Sequence, residues 1–193
     1  MPHALPLLPL HAVLFPGGLL RLTVVAAPAN ALLQRCQRES LTFGVSCLDD
    51  GQSTPASVGV LARVDRIDKH GRALQVLCQG SRRFRLMGAL ERDDTGQWYG
   101  QVSAIADDPN DIPAATMFPT VQALGRAIAT LRVSGKLCMN EPFRLNDAGW
   151  VANRWCELLP ISLAAKQQLM ELADPQARLA LVDAYLRGQR VVR

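Results

Sequence analysis

The first hundred or so residues alternate with a period of two. Leu5–Leu10 is an apolar run broken by Pro6 and Pro9. Proline cannot donate to a ladder, so this run predicts an edge strand. Phe15-Pro16-Gly17-Gly18 reads as a turn, with proline fixing φ and glycine accepting positive φ. Leu20, Leu22 and Val24 alternate with Arg21 and Thr23, a half-buried strand. Pro28 suits the first turn of a helix running to about Ser40. Its inner side holds Leu32, Leu33 and Cys36, and its outer side Gln34, Arg35, Gln37 and Arg38. Phe43, Val45 and Cys47 mark a strand over Thr42–Leu48, followed by a polar loop, Asp49–Ser57. Val58–Ile67 and Arg72–Gln79 flank Asp68-Lys69-His70-Gly71, a hairpin signal. Gly80-Ser81 breaks the pattern before a further strand, Arg82–Met87. Asp93-Asp94-Thr95-Gly96 is a turn, and Trp98–Ile105 another strand. Several short strands with one helix predict a partly closed antiparallel barrel.

Beyond Asp107 the period changes. Asp107–Pro113 is acidic and polar with two prolines, and reads as a linker. Val121, Leu124, Ile128 and Leu131 then follow at helical spacing within Pro119–Val133. Ala148–Leu159 carries Trp150, Val151, Trp155 and Leu158. Ser162 can cap a helix holding Leu163, Leu169, Met170 and Leu172. Asp174-Pro175 starts one that buries Leu179, Val182 and Leu186, with Gly188 placed to end it. The pattern predicts an α+β chain: a barrel over 1–107 with one helix, a linker over 108–118, and about four helices over 119–193.

Composition narrows the class. Of 193 residues 49% are hydrophobic and 20% charged, too apolar for a disordered chain. Prolines and Arg21 cut every apolar run well below the ~20 residues of a membrane helix. No Lys or Arg precedes Arg21, so a secretory start is not expected, and a cytoplasmic location is. The net charge of +4 comes from an arginine-rich set and points only weakly to an acidic partner. Cys36, Cys47, Cys78, Cys138 and Cys156 form no C-x-x-C, and reduced thiols are expected.

The local motifs of catalysis are missing. Gly135-Lys136 is preceded by Thr130 where a phosphate loop needs glycine, and neither G-x-S-x-G nor H-E-x-x-H occurs. His3, His11 and His70 are scattered. Three acidic pairs, Asp49-Asp50, Asp93-Asp94 and Asp107-Asp108, fall in turns or linkers, where aspartate bonds local backbone. No catalytic, cofactor or metal residue is expected. Two features could bind a partner. Arg83 and Arg85 share one face of their strand, with Arg82, Phe84 and Leu86 on the other. Arginines interleaved with an aromatic on a sheet can hold single-stranded RNA. The simpler reading is a solvated face with one barrel-facing Phe84. Trp98 is expected to point inward and Tyr99 outward, where a tyrosine can anchor a peptide.

The order of motifs resembles the N-terminal domain of ATP-dependent Lon proteases, above all its stand-alone homologues. Leu5-Pro6-Leu7-Leu8-Pro9-Leu10 through Phe15-Pro16-Gly17-Gly18 is similar to the family's opening, and Phe43-Gly44-Val45 to its "FGV" strand. Val58–Val64, with Val60 where threonine is usual, the Asp68–Gly71 hairpin and Gly80 to Phe84 match in turn. Late in the chain come Leu158-Leu159-Pro160, Lys166–Leu172, and Asp174-Pro175 to Arg178-Leu179. The resemblance implies a PUA-like pseudo-barrel followed by a helical bundle. It implies recognition of polypeptide substrates or of a protease or chaperone partner, without the ATPase and peptidase domains. The alternative is RNA binding by the barrel. The resemblance transfers no catalytic residue. Tyr99, Arg83 and Arg85 are the candidate partner-binding residues.

Overall fold

A computed structural model describes residues 4–48 and 54–192. The chain forms two compact units, Met1–Asp107 and Asp108–Arg193. The first contains β1 (Leu5–Leu10), β2 (Leu19–Val24), α1 (Ala27–Glu39), β3 (Thr42–Cys47), β4 (Val58–His70), β5 (Ala73–Arg92) and β6 (Trp98–Ala104). The strand order is β2-β5-β4-β3-β1-β6, and β5 also pairs with β6. That extra pairing closes β5, β4, β3, β1 and β6 into a ring. β2 is added outside it, along the first part of β5.

Three local expectations are corrected. β1 is not an edge strand, because it pairs with β6 and with β3. Its two ladders meet only at Leu7: Pro6 lies in the β6 ladder and Pro9 in the β3 ladder. Each proline therefore stands in a single ladder, where a missing N–H is tolerated. Second, the β1–β3 pair is parallel, while the other described pairs are antiparallel. Third, Gly80-Ser81 does not interrupt a strand, since β5 runs continuously from Ala73 to Arg92. Gly80 instead receives the Phe15–Gly18 turn. Gly17 N donates to Gly80 O at 3.0 Å, and Gly80 N donates to Gly18 O at 2.9 Å. A Cβ at Gly80 would stand 2.6 Å from Phe15 O, so only glycine admits this approach.

Leu7 and Phe84 share one face of the ring with Gly44 and Gly59, while Phe43, Val45, Val60 and Ala62 take the opposite face, and all six side chains are almost wholly buried. Phe84 explains two glycines. Its ring lies where Cβ atoms of Gly44 and Gly59 would stand, at 2.8 and 2.5 Å. The three residues sit on neighbouring strands β3, β4 and β5, with Gly59 directly opposite Phe84.

The second unit has a 3₁₀ turn, Ala115–Met117, and four helices: α2 (Phe118–Val133), α3 (Ala148–Leu158), α4 (Leu163–Glu171) and α5 (Pro175–Gly188). The expected caps are made. Ser162 Oγ accepts from Ala165 N at 3.1 Å, and Asp174 Oδ1 from Gln176 N and Ala177 N at 2.8 and 3.1 Å. At the end of α5 the left-handed residue is Arg190, not Gly188, which remains helical. Arg178 is a buried hub. Its guanidinium donates to Asp108 Oδ2 at 2.7 Å, Asn153 Oδ1 at 2.9 Å, and the carbonyls of Leu169 and Leu172. Asp108–Pro113 has no regular structure, yet it is fastened here as well. Asp111 O accepts from Ala148 N at 2.8 Å, and Ile112 O from Gln176 Nε2 at 2.7 Å.

Candidate functional site

In the barrel unit α1 and the β5–β6 hairpin enclose an open cleft of about 520 Å³. One wall is Ala27, Pro28, Ala31, Leu32 and Arg35; the other is Asp93, Thr95, Gln97 and Tyr99. Pro28 lies in the first turn of α1, where its fixed φ is compatible with the helix. Leu33 and Cys36 turn into the core, leaving Ala31 and Arg35 on the open side. The opposite wall is built by a tight turn. Asp93 Oδ1 accepts from Thr95 Oγ1 at 2.6 Å, Thr95 N at 2.9 Å and Gln97 N at 2.9 Å. Gly96, at φ 85°, completes the reversal. These bonds, led by the Thr95 hydroxyl and joined by the Tyr99 hydroxyl, hold the Asp93 carboxyl below the usual carboxylate range. Gln97 is buried and ties the turn to β1, its Nε2 donating to Leu7 O at 2.7 Å. The Tyr99 ring is half-buried and lines the cleft. The result is a rigid, mostly apolar trough with a fixed anion on one wall and an exposed cation on the other.

The structure separates the three candidate residues. Tyr99 is in the cleft; Arg83 and Arg85 are not. Arg85 is exposed, but Arg83 is 4% exposed, so the pair does not form the solvated face expected of it. The chain leaving β6 lies over Arg83: Arg83 O accepts from Ile105 N at 3.1 Å, and its Nη2 donates to Ala106 O at 3.4 Å. Strand β5 is therefore covered on both faces at Arg83 and Phe84. Trp98 is only half-buried, its ring under the Arg92 guanidinium at 3.8 Å. Asp93 acts as a turn residue. Asp107 pairs with Arg82 and Asp108 with Arg178, so these carboxylates are spent separately. His3, Asp49 and Asp50 lie outside the described residues. Among the described residues no group of three His, Cys, Asp or Glu could hold a metal ion. Burial pushes the Cys78 and Cys156 thiols up to about 12, which leaves them unreactive. No described helix is long and apolar enough to cross a membrane.

Sequence reasoning missed Arg35, Asp93, Thr95 and Gln97 as neighbours of Tyr99. The two walls are some sixty residues apart in the chain, and no local period links them.

The helical unit has a second cleft, of about 410 Å³, between α4 and α5. Ile161, Leu169, Leu172, Leu181 and Tyr185 are among its lining, which includes no charged side chain.

A closed pseudo-barrel carrying an open cleft, and a separate helical unit after it, place the protein in the α+β class of PUA-like modules. The chain belongs to the family of the ATP-dependent protease La (LON) substrate-binding domain, whose sequence model matches residues 4–187. The Lon N-terminal domain protein of Xanthomonas campestris is similar in structure, with TM-score 0.78 and 30% identity over 95% of this chain and 98% of that one. The N-terminal domain of the Mycobacterium avium complex Lon protease shares the fold, with TM-score 0.68 and 20% identity over 93% and 96%. The Lon protease of Anaeromyxobacter dehalogenans (strain 2CP-C) and Lon protease 2 of Myxococcus xanthus are each 25% identical over 203 residues. These matches take in the whole of this chain but 24% of each relative.

Proposed function

We propose that the protein is a polypeptide-recognition module that works by binding alone, and that the barrel cleft is its binding site. One observation carries the reading: a preformed apolar trough, of a size suited to side chains, with the Tyr99 ring on its wall. The family's substrate-binding description supports it. Tyrosine gives a large contact area at low conformational cost, and its hydroxyl is anchored on Asp93. The chemistry is burial of an apolar side chain that an unfolded segment exposes and a folded protein hides.

The test is fluorescence-anisotropy titration of the 193-residue protein into a labelled, permanently unfolded polypeptide such as reduced and alkylated lactalbumin. Tyr99→Ala should weaken binding by about 5- to 30-fold, the range of a buried aromatic anchor. Ala31→Trp, which fills the trough from α1, should weaken it as well. Arg85→Ala, on an exposed position away from the cleft, should leave it unchanged. Equal affinity of all four proteins would refute the site.

A further inference from the structure

Charge is divided unequally between the two walls of the barrel cleft. On the hairpin wall the Asp93 carboxylate is met by the Thr95 hydroxyl, the Thr95 and Gln97 amides and the Tyr99 hydroxyl. The three bonds to Oδ1 use that oxygen's accepting capacity within the protein. The same two amides are what a free terminal carboxylate would seek on this wall, and they are taken. On the helix wall Arg35 is exposed, and among the described residues no ion pair or hydrogen bond engages it. A guanidinium presents a planar fork of donors that matches a carboxylate. The same helix wall carries the apolar surface of Ala27, Pro28, Ala31 and Leu32.

We infer that the cleft selects an extended segment whose apolar side chain lies in the trough and whose neighbouring side-chain carboxylate pairs with Arg35. The occupant is an acidic-flanked apolar segment inside a polypeptide, not a chain end. The free charge of the cleft is a side chain that reaches from a helix face, and the backbone donors that would hold a terminus are occupied. This inference rests on the cleft being the polypeptide site. Because Arg35 is solvent-exposed, the selectivity is modest and fades with salt.

The experiment uses labelled, C-terminally amidated decapeptides with one central phenylalanine flanked on both sides by glutamates, glutamines or lysines, titrated with the 193-residue protein at low salt. Glutamate-flanked peptide should bind tightest and lysine-flanked weakest, with a spread of about 2- to 10-fold. Arg35→Glu should invert that order while leaving circular dichroism and melting nearly unchanged, since the exposed Arg35 has no hydrogen bond or ion pair among the described residues. The same order in wild type and Arg35→Glu would overturn the inference. So would a glutamine-flanked peptide that gains affinity through Arg35 when its C-terminus is freed. If all peptides bind alike and Tyr99→Ala weakens them all, charge selection fails while the cleft reading stands. If none binds, both fail.

Discussion

Arg178 shows what a single residue in a motif can do. One guanidinium joins Asp108, Asn153 and two helix-terminal carbonyls in a site that leaves it 1% exposed. Removing one member of such a buried network strands the others, so Arg178→Ala should destabilise the helical unit by about 3–5 kcal/mol. A fall in its thermal or urea midpoint of that size checks this, and Arg178→Lys should recover only part, lacking the fork. Glu157 is a second case. Burial pushes its carboxyl up to about 7, against the pull of Arg154, whose Nη2 lies 2.7 Å away, and of Lys166. The folded state therefore holds a proton that the unfolded chain releases near pH 4.5. Its contribution is full below about pH 4.5 and is lost as pH rises through about 7. Urea midpoints of wild type and Glu157→Gln, compared from pH 4 to pH 8, should differ by an amount that changes across that window; a constant difference would contradict the shift. The sequence pattern assigned Arg83 to the correct strand face but not to the interior. Alternation tells which side a residue takes, not what later chain crosses over it.

Among the elements, the caps and periods were readable because they are local. Asp174 and Ser162 cap the helices they precede, and the Asp93 turn forms as its residue types require. What escaped was any feature made by two distant segments. Gly80 looked like a strand breaker, yet it is the point where the Phe15–Gly18 turn touches β5. Pro6 and Pro9 looked like edge markers, yet β1 divides its pairing between two partners. Gly44 and Gly59 gave no sign that an aromatic ring would rest on both. Gly59 supplies a sharp test. A Cβ there would lie 2.4 Å from Val45 O, a backbone atom that cannot swing aside, as well as against Phe84. Gly59→Ala should cost roughly 2–4 kcal/mol, of the order of strong overpacking, seen as a lowered melting point of the barrel. Trimming the ring with Phe84→Leu should not restore it, because the carbonyl remains.

For the molecule as a whole, the division into a β part and an α part was legible from the change of period near Asp107. A barrel was legible too, from several short strands with one helix, but not which strands close it, since the seam joins Leu5 to Gly100. Nor was the cleft, whose walls are contributed by residues 27–35 and 93–99. The chain spans about a quarter of the length of the Lon proteases it matches, and its residues 4–187 match the substrate-binding domain family. On the proposed binding-only reading, the 193-residue protein should bind an unfolded polypeptide without shortening it. Incubation with ATP should release no phosphate, and gel analysis should recover the polypeptide intact; cleavage that survives repurification would contradict a binding-only role.

The closure of β1 onto β6 has a consequence for how the protein is made. A ribosome delivers β1 first, and Leu7 can pair with β3 once Gly44 has emerged. Its other partner, Trp98, arrives more than fifty residues later. Through that interval the nascent barrel is an open sheet with the unpaired side of β1 at its margin, an invitation to wrong pairing. Local hairpins such as β4–β5 form early, while the seam waits for the slowest contact in sequence. Synthesis speed between Cys47 and Trp98, rather than the stability of the finished ring, then sets how long that margin stays exposed.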